Sequence, residues 1–417
     1  MEIYYRIGTA GEQGLFDAEK ASYEGLAVGA HVAAIGRTWV SGLLFRLGKP
    51  YFVDPVTYVF AQDPQLVRRA DELRRSYDEV AEIYGGVVRQ YAGKRALRAS
   101  DLKQQKVAED LVTQVIGFQE KVFSKPDAAQ ASLLEYLGEL GEEVHGPSSP
   151  TFLIPPYFYA GSADDPWHDV NVRLADIALG QTGKGNIAPV ICVSEHGLTT
   201  KKAVDRLVSD YSRFSNVFIW VSGLKEPKAT QSQLLSYSSL VQGLAAKGAT
   251  PRSFYGGAFS VGLGTAGLGG ISPGICYSES KEVAVAAKGG GFPTRYYVPL
   301  NRVKVGLANA ARMYASNADL VCDCRVCSRL FPRPGTRRGP RPEVGEAIEE
   351  MPAMAAKRHF MLSRTREALQ IRTLSPSALA AKLESDARKA ETRSTQIYGV
   401  SHAHLVVWSR VYSRLSK

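Results

Sequence analysis

Three cysteines lie close together in the last quarter of the chain, and a histidine follows them after 31 intervening residues. The cysteines are spaced as Cys322-x-Cys324-x2-Cys327, and the histidine is His359. Three thiolates and one imidazole make a complete tetrahedral shell for Zn²⁺, and four protein ligands leave no coordination position for water. We therefore expect a structural zinc site whose fourth ligand lies on a helix over residues 353–371. Three unrelated cysteines in a reducing compartment are the alternative.

Two carboxylates follow β-type runs and are candidate catalytic residues. Asp54 ends the run 51–54 and precedes Pro55, and proline favours an extended conformation in the residue before it. Glu195 follows the run 190–194. In β/α barrels, catalytic side chains lie at the carboxyl ends of the strands. Position alone suggests Glu195 as the partner of Asp54, and a turn-forming aspartate is the alternative for Asp54.

Aromatic, polar and glycine residues occupy the ends of the other predicted strands. Rings among carboxylates suit a flat, nitrogen-rich base, which can be stacked and hydrogen-bonded along its edge. A glycine-dense loop at 256–274 permits close approach of the backbone to a ligand. For the tyrosines, packing in the core is an equally good explanation. The candidate substrate-binding residues are Tyr157, Tyr159, His196, Ser222, Gly256 and Gly257.

Eight β-type runs with helix-sized connections predict the architecture that positions these residues. Eight parallel β/α units close a barrel, so we expect an α/β protein with a (β/α)8 TIM-type barrel. The predicted strands are 3–8, 32–36, 51–54, 152–159, 190–194, 217–222, 253–259 and 295–299. The long connection at about 64–145 predicts a helical insertion that caps the barrel mouth. We place the barrel domain at 1–320 and a basic, helical zinc-binding subdomain at 321–417.

The net charge of +10 is concentrated in this last segment. Residues 321–417 contain 18 Lys+Arg and 9 Asp+Glu, whereas the preceding 320 residues contain 33 and 32. Clustered arginines with no acidic residue between them suit a phosphate backbone, because each neutralised phosphate releases counterions. A solvated loop is the alternative. The candidate nucleic-acid-binding residues are Arg325, Arg329, Arg333, Arg337, Arg338 and Arg341.

Two other classes of protein fit the sequence poorly. No apolar run approaches the roughly 20 residues of a membrane helix, and the N-terminus lacks the features of a signal peptide, so we expect a cytoplasmic protein without a membrane partner. The motif Gly270-x-Ser272-x-Gly274 matches the nucleophile elbow of hydrolases. That elbow uses the N–H of the residue after the serine, and Pro273 has none. This excludes a serine hydrolase.

The barrel pattern, the CxCxxC spacing and the distant helical histidine resemble the tRNA-guanine transglycosylase superfamily. The chain is most similar to the DpdA-type enzymes, which exchange guanine in DNA for a 7-deazaguanine. The resemblance covers most of the predicted barrel and the zinc segment. The stretches that carry it are Tyr51-Phe-Val-Asp-Pro-Val-Thr-Tyr-Val-Phe60, Pro155-Pro-Tyr-Phe158 with Asp165-Pro-Trp167, Gly270-Ile-Ser-Pro-Gly-Ile275 and Cys322-Asp-Cys-Arg-Val-Cys327.

The resemblance implies a transglycosylase that inserts a base similar to 7-cyano-7-deazaguanine into DNA. In the family, a carboxylate attacks C1′ of the target nucleotide, guanine leaves, and the incoming base displaces the enzyme from the covalent aspartyl–sugar intermediate. Asp54 falls where the family places the aspartate of its Asp-Ser-Gly-Gly-Phe-Gln motif. The implied partners are DNA, the 7-deazaguanine base and helper proteins of a DNA-modification system.

The chain departs from the family pattern in two places. Pro55-Val-Thr replaces the glycine-glycine motif, and no aspartate ends the sixth or the eighth predicted strand. Two alternatives stay open, one because DNA and tRNA are both polyanions that the arginine cluster cannot separate, and one because the strand-end aspartates are missing. One is a tRNA-guanine transglycosylase that acts on tRNA, and the other is a catalytically inactive, nucleic-acid-binding member of the same fold.

Overall fold

The computed structural model describes residues 1–69, 72–124, 131–132, 136, 149–183, 185–275, 279–284, 293–331 and 343–416. Strands and helices alternate through most of these ranges, which confirms the predicted α/β class. None of the helices in the described ranges combines the length and the apolar character that crossing a membrane requires.

In chain order the strands of the described ranges are β1 (Glu2–Ile7), β2 (Gly25–Gly29), β3 (Tyr51–Asp54), β4 (Arg68–Arg69), β5 (Glu72–Leu73), β6 (Val190–Ser194), β7 (Asn216–Ser222), β8 (Thr250–Ser253), β9 (Gly270–Ile271), β10 (Arg295–Val298) and β11 (Val303–Gly306). Seven of them are parallel and form one sheet, in the order β3-β2-β1-β9-β8-β7-β6. The register aligns the carboxyl ends of neighbouring strands, pairing Gly29 with Asp54 and Ser194 with Ser222. Two short antiparallel hairpins, β4–β5 and β10–β11, lie outside the sheet.

Contacts between side chains show how strongly the sheet curls. Strands β3 and β7 are separated by four other strands, so a flat sheet would hold them roughly 24 Å apart. The rings of Phe52 on β3 and Phe218 on β7 nevertheless lie 5.0 Å apart, and both residues are buried. Phe152 and Phe254 pack against the same pair. This aromatic layer fills the concave side of the sheet.

The extended segment 152–160 lies between the two edge strands of the sheet. Phe152 makes a parallel bridge to Phe52 of β3, and Ala160 makes one to Val193 of β6. Between these bridges the backbone is not a regular strand, and Pro155 and Pro156 lack the N–H that a ladder needs. The predicted strand 152–159 is therefore an extended segment held by isolated bridges.

Three buried side chains take over the backbone hydrogen bonds of this segment. Each binds both the N–H and the C=O of one residue, as a neighbouring strand would do. The pairs are Gln119 with Ile154 (2.9 and 2.7 Å), Thr57 with Tyr157 (2.9 and 2.7 Å) and Asn171 with Phe158 (2.8 and 2.7 Å). Because buried backbone groups need partners, these side chains fix the path of the segment.

Helices surround the sheet, and local sequence sets their ends. The helix Pro166–Thr182 is typical: the Asp165 side chain accepts a hydrogen bond from the N–H of Trp167, Pro166 is the first helical residue, and Gly183 ends the helix at φ 58°. Further helices in the described ranges are Gln13–Ala18, Ala30–Ile35, Arg37–Leu47, Arg75–Tyr84, Gly86–Tyr91, Gln105–Lys121, Lys201–Tyr211, Gln231–Ala246, Ala258–Gly262, Leu307–Ser316, Cys327–Leu330, Val344–Glu349, Ala353–Ile371, Pro376–Thr392 and Ala403–Leu415.

A second hydrophobic core forms around the three cysteines. It combines the hairpin residues Tyr296 and Val298 with side chains of the helices Leu307–Ser316 and Val344–Glu349. The long helix Ala353–Ile371 contributes to both cores, because Ala356 packs in the second and Phe360 in the first. This helix therefore connects the cysteine-rich segment to the sheet.

Two of the predicted strands are wrong in position. Residues 32–36 fall in the helix Ala30–Ile35 and the glycine that follows it, and the second strand is Gly25–Gly29. Short apolar runs do not distinguish a buried strand from a helix turn, and a strand with glycine at both ends gives a weak signal. Residues 253–259 contain only the last residue of β8 and the start of the helix Ala258–Gly262.

The predicted eighth strand is also wrong. Residues 295–299 contain β10, which pairs antiparallel with β11 and not with the parallel sheet. The last strand of the sheet along the chain is instead β9, which has two residues and lies between β1 and β8. Glycine and proline surround β9 in the sequence, and this composition hides it from a search for β-branched runs.

The predicted insertion at about 64–145 is described in part. Its described part contains the hairpin β4–β5 and the α-helices Arg75–Tyr84, Gly86–Tyr91 and Gln105–Lys121. Tyr84 donates a hydrogen bond to the carbonyl of Pro55 at 2.9 Å, and Tyr77 stacks on His31. These contacts place the insertion against the carboxyl ends of β2 and β3. Residues 125–130, 133–135 and 137–148 lie outside the described residues.

Candidate functional site

The four predicted metal ligands come together in one buried cluster. One ligand atom from each of Cys322, Cys324, Cys327 and His359 lies within 4.8 Å of all the others. His359 Nδ1 is 3.5 Å from Cys324 Sγ and 3.3 Å from Cys327 Sγ. A tetrahedral zinc site with Zn–S bonds of about 2.3 Å has edges of roughly 3.8 Å, so the cluster can hold a metal ion of that size.

The neighbours of His359 orient it as a ligand. Its Nε2 lies 2.7 Å from the carbonyl oxygen of Tyr297, so Nε2 carries the proton and the Nδ1 lone pair faces the sulfurs. The ring of Tyr296 stacks on the imidazole at 4.4 Å, and its hydroxyl contacts Cys327 Sγ at 3.4 Å. A histidine held by a backbone carbonyl behind it is the usual arrangement around a protein-bound metal.

The Cys324 sulfur is stabilised as a thiolate by its neighbours, whereas the same hydrogen bonds raise the pKa of the Cys327 thiol. Hydrogen bonds from Cys322 and Cys327 hold the pKa of the Cys324 thiol well below its usual range. The backbone N–H of Cys324 points at Cys322 Sγ at 3.4 Å, and that of Cys327 points at Cys324 Sγ at 3.5 Å. Metal ligation requires the deprotonated thiolate, so this environment suits a soft divalent cation.

Ion pairs connect the segment that contains Cys322, Cys324 and Cys327 to Glu19, which lies between β1 and β2. The Glu19 side chain is fully buried. Arg325 forms an ion pair with the Glu19 carboxylate, and Arg358 forms a second one at 2.7 Å. Of the predicted nucleic-acid-binding residues, Arg325 therefore makes a structural contact, whereas Arg329 is exposed at the end of the short helix Cys327–Leu330. Arg333, Arg337, Arg338 and Arg341 lie outside the described residues.

Asp54 lies at the carboxyl end of β3 with only 1% of its surface exposed. One carboxylate oxygen accepts hydrogen bonds from the Tyr157 hydroxyl at 2.8 Å and the Val56 N–H at 3.0 Å. The other accepts from the Arg6 guanidinium at 2.9 Å. Both oxygens of the predicted catalytic carboxylate are therefore engaged by the protein itself.

Arg6 is the centre of this buried arrangement. Its guanidinium lies 4.2 Å from the ring centre of Phe254 and 4.1 Å from that of Tyr255. Besides Asp54, it donates to the backbone carbonyls of Phe254 and Ser272. It thus links the ends of β1, β3, β8 and β9 through one side chain.

Aromatic rings and one lysine complete the pocket around Asp54. Tyr58 stacks on Tyr157 at 5.7 Å and meets Trp220 edge-on at 4.8 Å. Lys281 Nζ donates a hydrogen bond to the Tyr58 hydroxyl and lies 5.1 Å from its ring centre. Burial lowers the pKa of Lys281 to about 8, and the charge of Asp54 offsets part of this effect. The pocket therefore combines flat apolar walls with charged groups.

A cavity of about 550 Å³ opens at the carboxyl ends of β6 and β7. Glu195 lines it and accepts a hydrogen bond from Gln233 at 3.1 Å, and the exposed His196 side chain is 3.8 Å from the Glu195 carboxylate. Tyr159 and Ser222 line the same cavity. Within the described residues, no hydrogen bond or ion pair joins Glu195 to Asp54.

The glycines at the end of β8 are packed against protein atoms. A Cβ atom at Gly257 would lie 2.4 Å from the Glu226 carboxylate, and one at Gly256 would lie 2.9 Å from Ser260. Glu226 accepts hydrogen bonds from the N–H groups of Gly257, Phe259 and Ser260. The space beside Gly257 is thus occupied by Glu226, and the space beside Gly256 by Ser260 and Ser253.

Sequence reasoning missed Arg6 and Lys281 in the pocket around Asp54, and the buried Glu226 beside the glycines that follow β8. Arg6 gave a weak signal, because it is the single cation inside the apolar run of β1. Lys281 and Glu226 follow β9 and β7 in segments without a recognisable motif, so no sequence pattern pointed to them.

Comparisons of the chain with protein-family models, with curated proteins and with solved structures found no match.

Proposed function

We propose that this protein is a transglycosylase that exchanges guanine in DNA for a 7-deazaguanine base. The observation that carries the proposal is the Cys322, Cys324, Cys327 and His359 cluster beside a curled parallel sheet. This combination is what the resemblance to the tRNA-guanine transglycosylase superfamily implies. A fold of this kind supports many chemistries, so the site has to carry the assignment of function.

The fold part of the proposal is a closed (β/α)8 barrel. Residues 152–160 act as its fourth strand, because they bridge β3 on one side and β6 on the other. Around the ring the order then follows the chain: β1, β2, β3, residues 152–160, β6, β7, β8 and β9. Every catalytic candidate lies at the carboxyl end of these strands, where barrel enzymes place their active sites.

The metal in this proposal is zinc with a structural role. Three thiolates and one imidazole suit Zn²⁺ and leave it no open position for catalysis. The ion would hold the loop that contains Arg325 and Arg329 against the sheet domain. Arg329, which is exposed, would then face a phosphate backbone.

Base exchange needs a binding site for a flat base, a proton donor and a nucleophile for C1′. The cavity of about 550 Å³ falls within the range of small-molecule sites. Glu195 borders this cavity, and we assign proton transfer to it. Asp54 can attack a sugar only after Arg6 or Tyr157 releases an oxygen, so we assign it first to ordering the pocket. The target nucleotide must leave the duplex to reach either group.

The experiment is incorporation of labelled guanine into nucleic acid by the purified protein. Duplex DNA, single-stranded DNA and tRNA are compared at matched salt, and the proposal expects label in DNA. Glu195→Gln should lower the exchange rate by roughly 100-fold or more, as loss of a general acid usually does. Label in tRNA alone would assign the second substrate, and no label in any polymer would contradict the exchange reaction.

A non-catalytic role is the second candidate, and one observation favours it. Both oxygens of Asp54 are occupied by protein donors in a buried ion pair. A member that only binds nucleic acid would need no free carboxylate. Such a protein would shift the mobility of DNA in a gel, to a degree that falls with rising salt, and it would incorporate no labelled guanine.

A further inference from the structure

A second cavity, of about 270 Å³, lies beside the candidate substrate cavity. Its walls come from the segments that follow β7, β8 and β9 and from the hairpin β10–β11. Lys225 and Lys228 line both cavities, so the two spaces are neighbours at the carboxyl ends of the strands. A group bound in the second cavity would therefore lie next to a base bound in the first.

The lining of this second cavity is strongly cationic. Five basic side chains border it, against two carboxylates. The basic residues are Lys225, Lys228, Arg295, Arg302 and Lys304, and the acidic residues are Glu226 and Glu279. The buried Glu226 accepts hydrogen bonds from backbone N–H groups of the segment 257–260, so its charge is engaged there. A concave surface with an excess of one charge concentrates ligands of the opposite charge, which here are anions.

Arg302 adopts an unfavourable backbone conformation in this lining. Its φ is 55°, in the left-handed region that residues other than glycine seldom occupy. A residue kept in such a conformation points to a role for its side chain. The Arg302 side chain is 7% exposed and pairs with Asp386 at 3.3 Å, and Asp386 also pairs with Lys382 at 3.2 Å. One carboxylate thus serves two cations.

Lys304 and Lys228 contribute to the lining in different ways. The Lys304 amine donates a hydrogen bond to the carbonyl of Ile275 at 3.1 Å and pairs with Glu279 at 3.6 Å. It also lies 3.5 Å from the ring centre of Phe360, so its position is fixed. The Lys228 side chain is exposed and makes no ion pair with any described residue. Because a lysine ammonium is a point charge on a flexible stem, Lys228 can turn toward an anion in the cavity.

We propose that this second cavity binds a phosphate group of the nucleic-acid backbone, the one next to the target nucleotide. This inference rests on the proposed function. Phosphate contacts fix the register and the orientation of a protein on nucleic acid without reading its sequence, and arginine and lysine are the usual side chains that make them. A strand held here would present its target nucleotide to the cavity that Glu195 borders.

The test is the binding of a short single-stranded DNA that contains one guanine among thymines. Each linkage is replaced in turn by a methylphosphonate, which carries no charge, and the affinity of the full-length protein is measured by fluorescence anisotropy. One neutralised phosphate of a single strand contributes roughly 0.7 to the slope of log K against log salt, so replacing the bound linkage should weaken binding about fivefold at about 0.1 M salt. That linkage should lie beside the guanine, and more distant linkages should matter less.

The variant is the double substitution Lys228→Gln with Arg295→Gln. Both side chains are exposed, so the protein should fold, and the replaced linkage should then weaken binding less than about twofold because its phosphate has lost two cationic neighbours. The matched control is Arg213→Gln with Lys247→Gln, which removes the same charge. Both control residues are exposed and precede the amino ends of β7 and β8, at the opposite end of the sheet. The control should keep the wild-type penalty, and thermal melting checks that both proteins are folded.

The outcomes separate this inference from the proposed function when incorporation of labelled guanine is measured on the same DNA. A linkage-specific penalty that the double variant removes, without incorporation, supports the phosphate site and contradicts base exchange. Incorporation with the same penalties in wild type and double variant overturns the phosphate site and leaves base exchange standing. Absence of measurable binding, or an equal loss in the control, also overturns the phosphate site.

A free phosphate ion is a second source of the same chemistry. Inorganic phosphate would then raise the melting temperature of the wild type but not that of the double variant, and no methylphosphonate would change the affinity for DNA. That combination would overturn the assignment of the cavity to the nucleic-acid backbone.

Discussion

Arg6 and Asp54 form a buried ion pair at 2.9 Å across the end of the parallel sheet. The Asp54 side chain is 1% exposed and that of Arg6 13%. Arg6 enters from β1 and Asp54 from β3, which are not neighbours, so the pair spans the intervening strand β2. The candidate catalytic residue Asp54 therefore also stabilises the sheet, because its ion pair with Arg6 connects β1 to β3.

Breaking this pair from one side should be costly. Arg6→Met leaves the Asp54 carboxylate buried without its cation, and such changes lower the free energy of unfolding by about 3–5 kcal/mol. Urea unfolding measures the loss. The double variant Arg6→Met with Asp54→Leu should lose less, because neither charge is left alone. In the exposed pair Arg46–Asp17, Arg46→Met should cost less than about 1 kcal/mol. Equal losses for Arg6→Met and Arg46→Met would contradict this account.

The cysteine cluster predicts about one zinc per chain by elemental analysis. Cys324→Ser and His359→Ala should each lower the metal content and the melting temperature, because metal binding contributes directly to folding. Cys192→Ser is the control, since Cys192 is a buried cysteine of β6 far from the cluster in the sequence. It should keep the full metal content whatever its effect on stability. A wild-type protein that is stable and free of metal would refute the site.

The metal ligands and Asp54 show what local sequence can predict. Three soft ligands within six residues have few other uses, so their spacing alone indicated the cluster. Strands β3 and β6 were predicted to the residue because each is a short run of buried, mostly β-branched or aromatic side chains. These are signals that need no knowledge of distant contacts.

Arg6 and Lys281 show why the rest could not be predicted. Arg6 acquires its role from Phe254, Tyr255 and Asp54, which approach it only when the sheet curls. Lys281 is held in the pocket by hydrogen bonds with Tyr58 and Trp220, which lie more than 60 residues away in the sequence. Strand β9 has only two residues. It is a strand because β1 and β8 pair with it on both sides, and its own side chains give little β signal.

We expect the protein to lose stability in mild acid because of the buried ring of His31. Burial lowers its pKa from 6.5 to about 4, and the positive charge of Lys281 adds to the effect. The folded chain keeps His31 neutral down to about pH 4, whereas the unfolded chain takes up a proton below 6.5. Stability is therefore fully present above pH 6.5 and is lost as the pH falls towards 4, by about 1–2 kcal/mol at pH 5.

Urea unfolding at pH 7 and pH 5 measures this loss. His31→Asn removes the titrating ring and should reduce the difference between the two pH values. The control is His196→Asn, because the His196 side chain is 81% exposed when folded. Identical pH dependence in wild type and His31→Asn would show that His31 does not contribute.

Substitution of Arg325 and of Arg329 should distinguish a structural role from a role in nucleic-acid binding. Arg325 is paired with the buried Glu19, so Arg325→Ala should lower the melting temperature. Arg329 is exposed, so Arg329→Ala should leave the melting temperature unchanged and weaken DNA binding for all sequences. If Arg329 contacts one phosphate, the slope of log K against log salt should fall by about one. An unchanged slope would remove Arg329 from the DNA-binding surface.

Gln119 tests how the segment 152–160 is held at the open edge of the sheet. Its side chain binds both the N–H and the C=O of Ile154, and Gln119 is fully buried. Gln119→Leu has a similar size but leaves two buried backbone groups without partners, which should cost about 2–4 kcal/mol in urea unfolding. Gln105→Leu, on the exposed face of the same helix, should change stability by less than about 0.5 kcal/mol. If Gln119→Leu lost no more stability than Gln105→Leu, then neighbouring strands, and not the Gln119 side chain, would hold the segment in place.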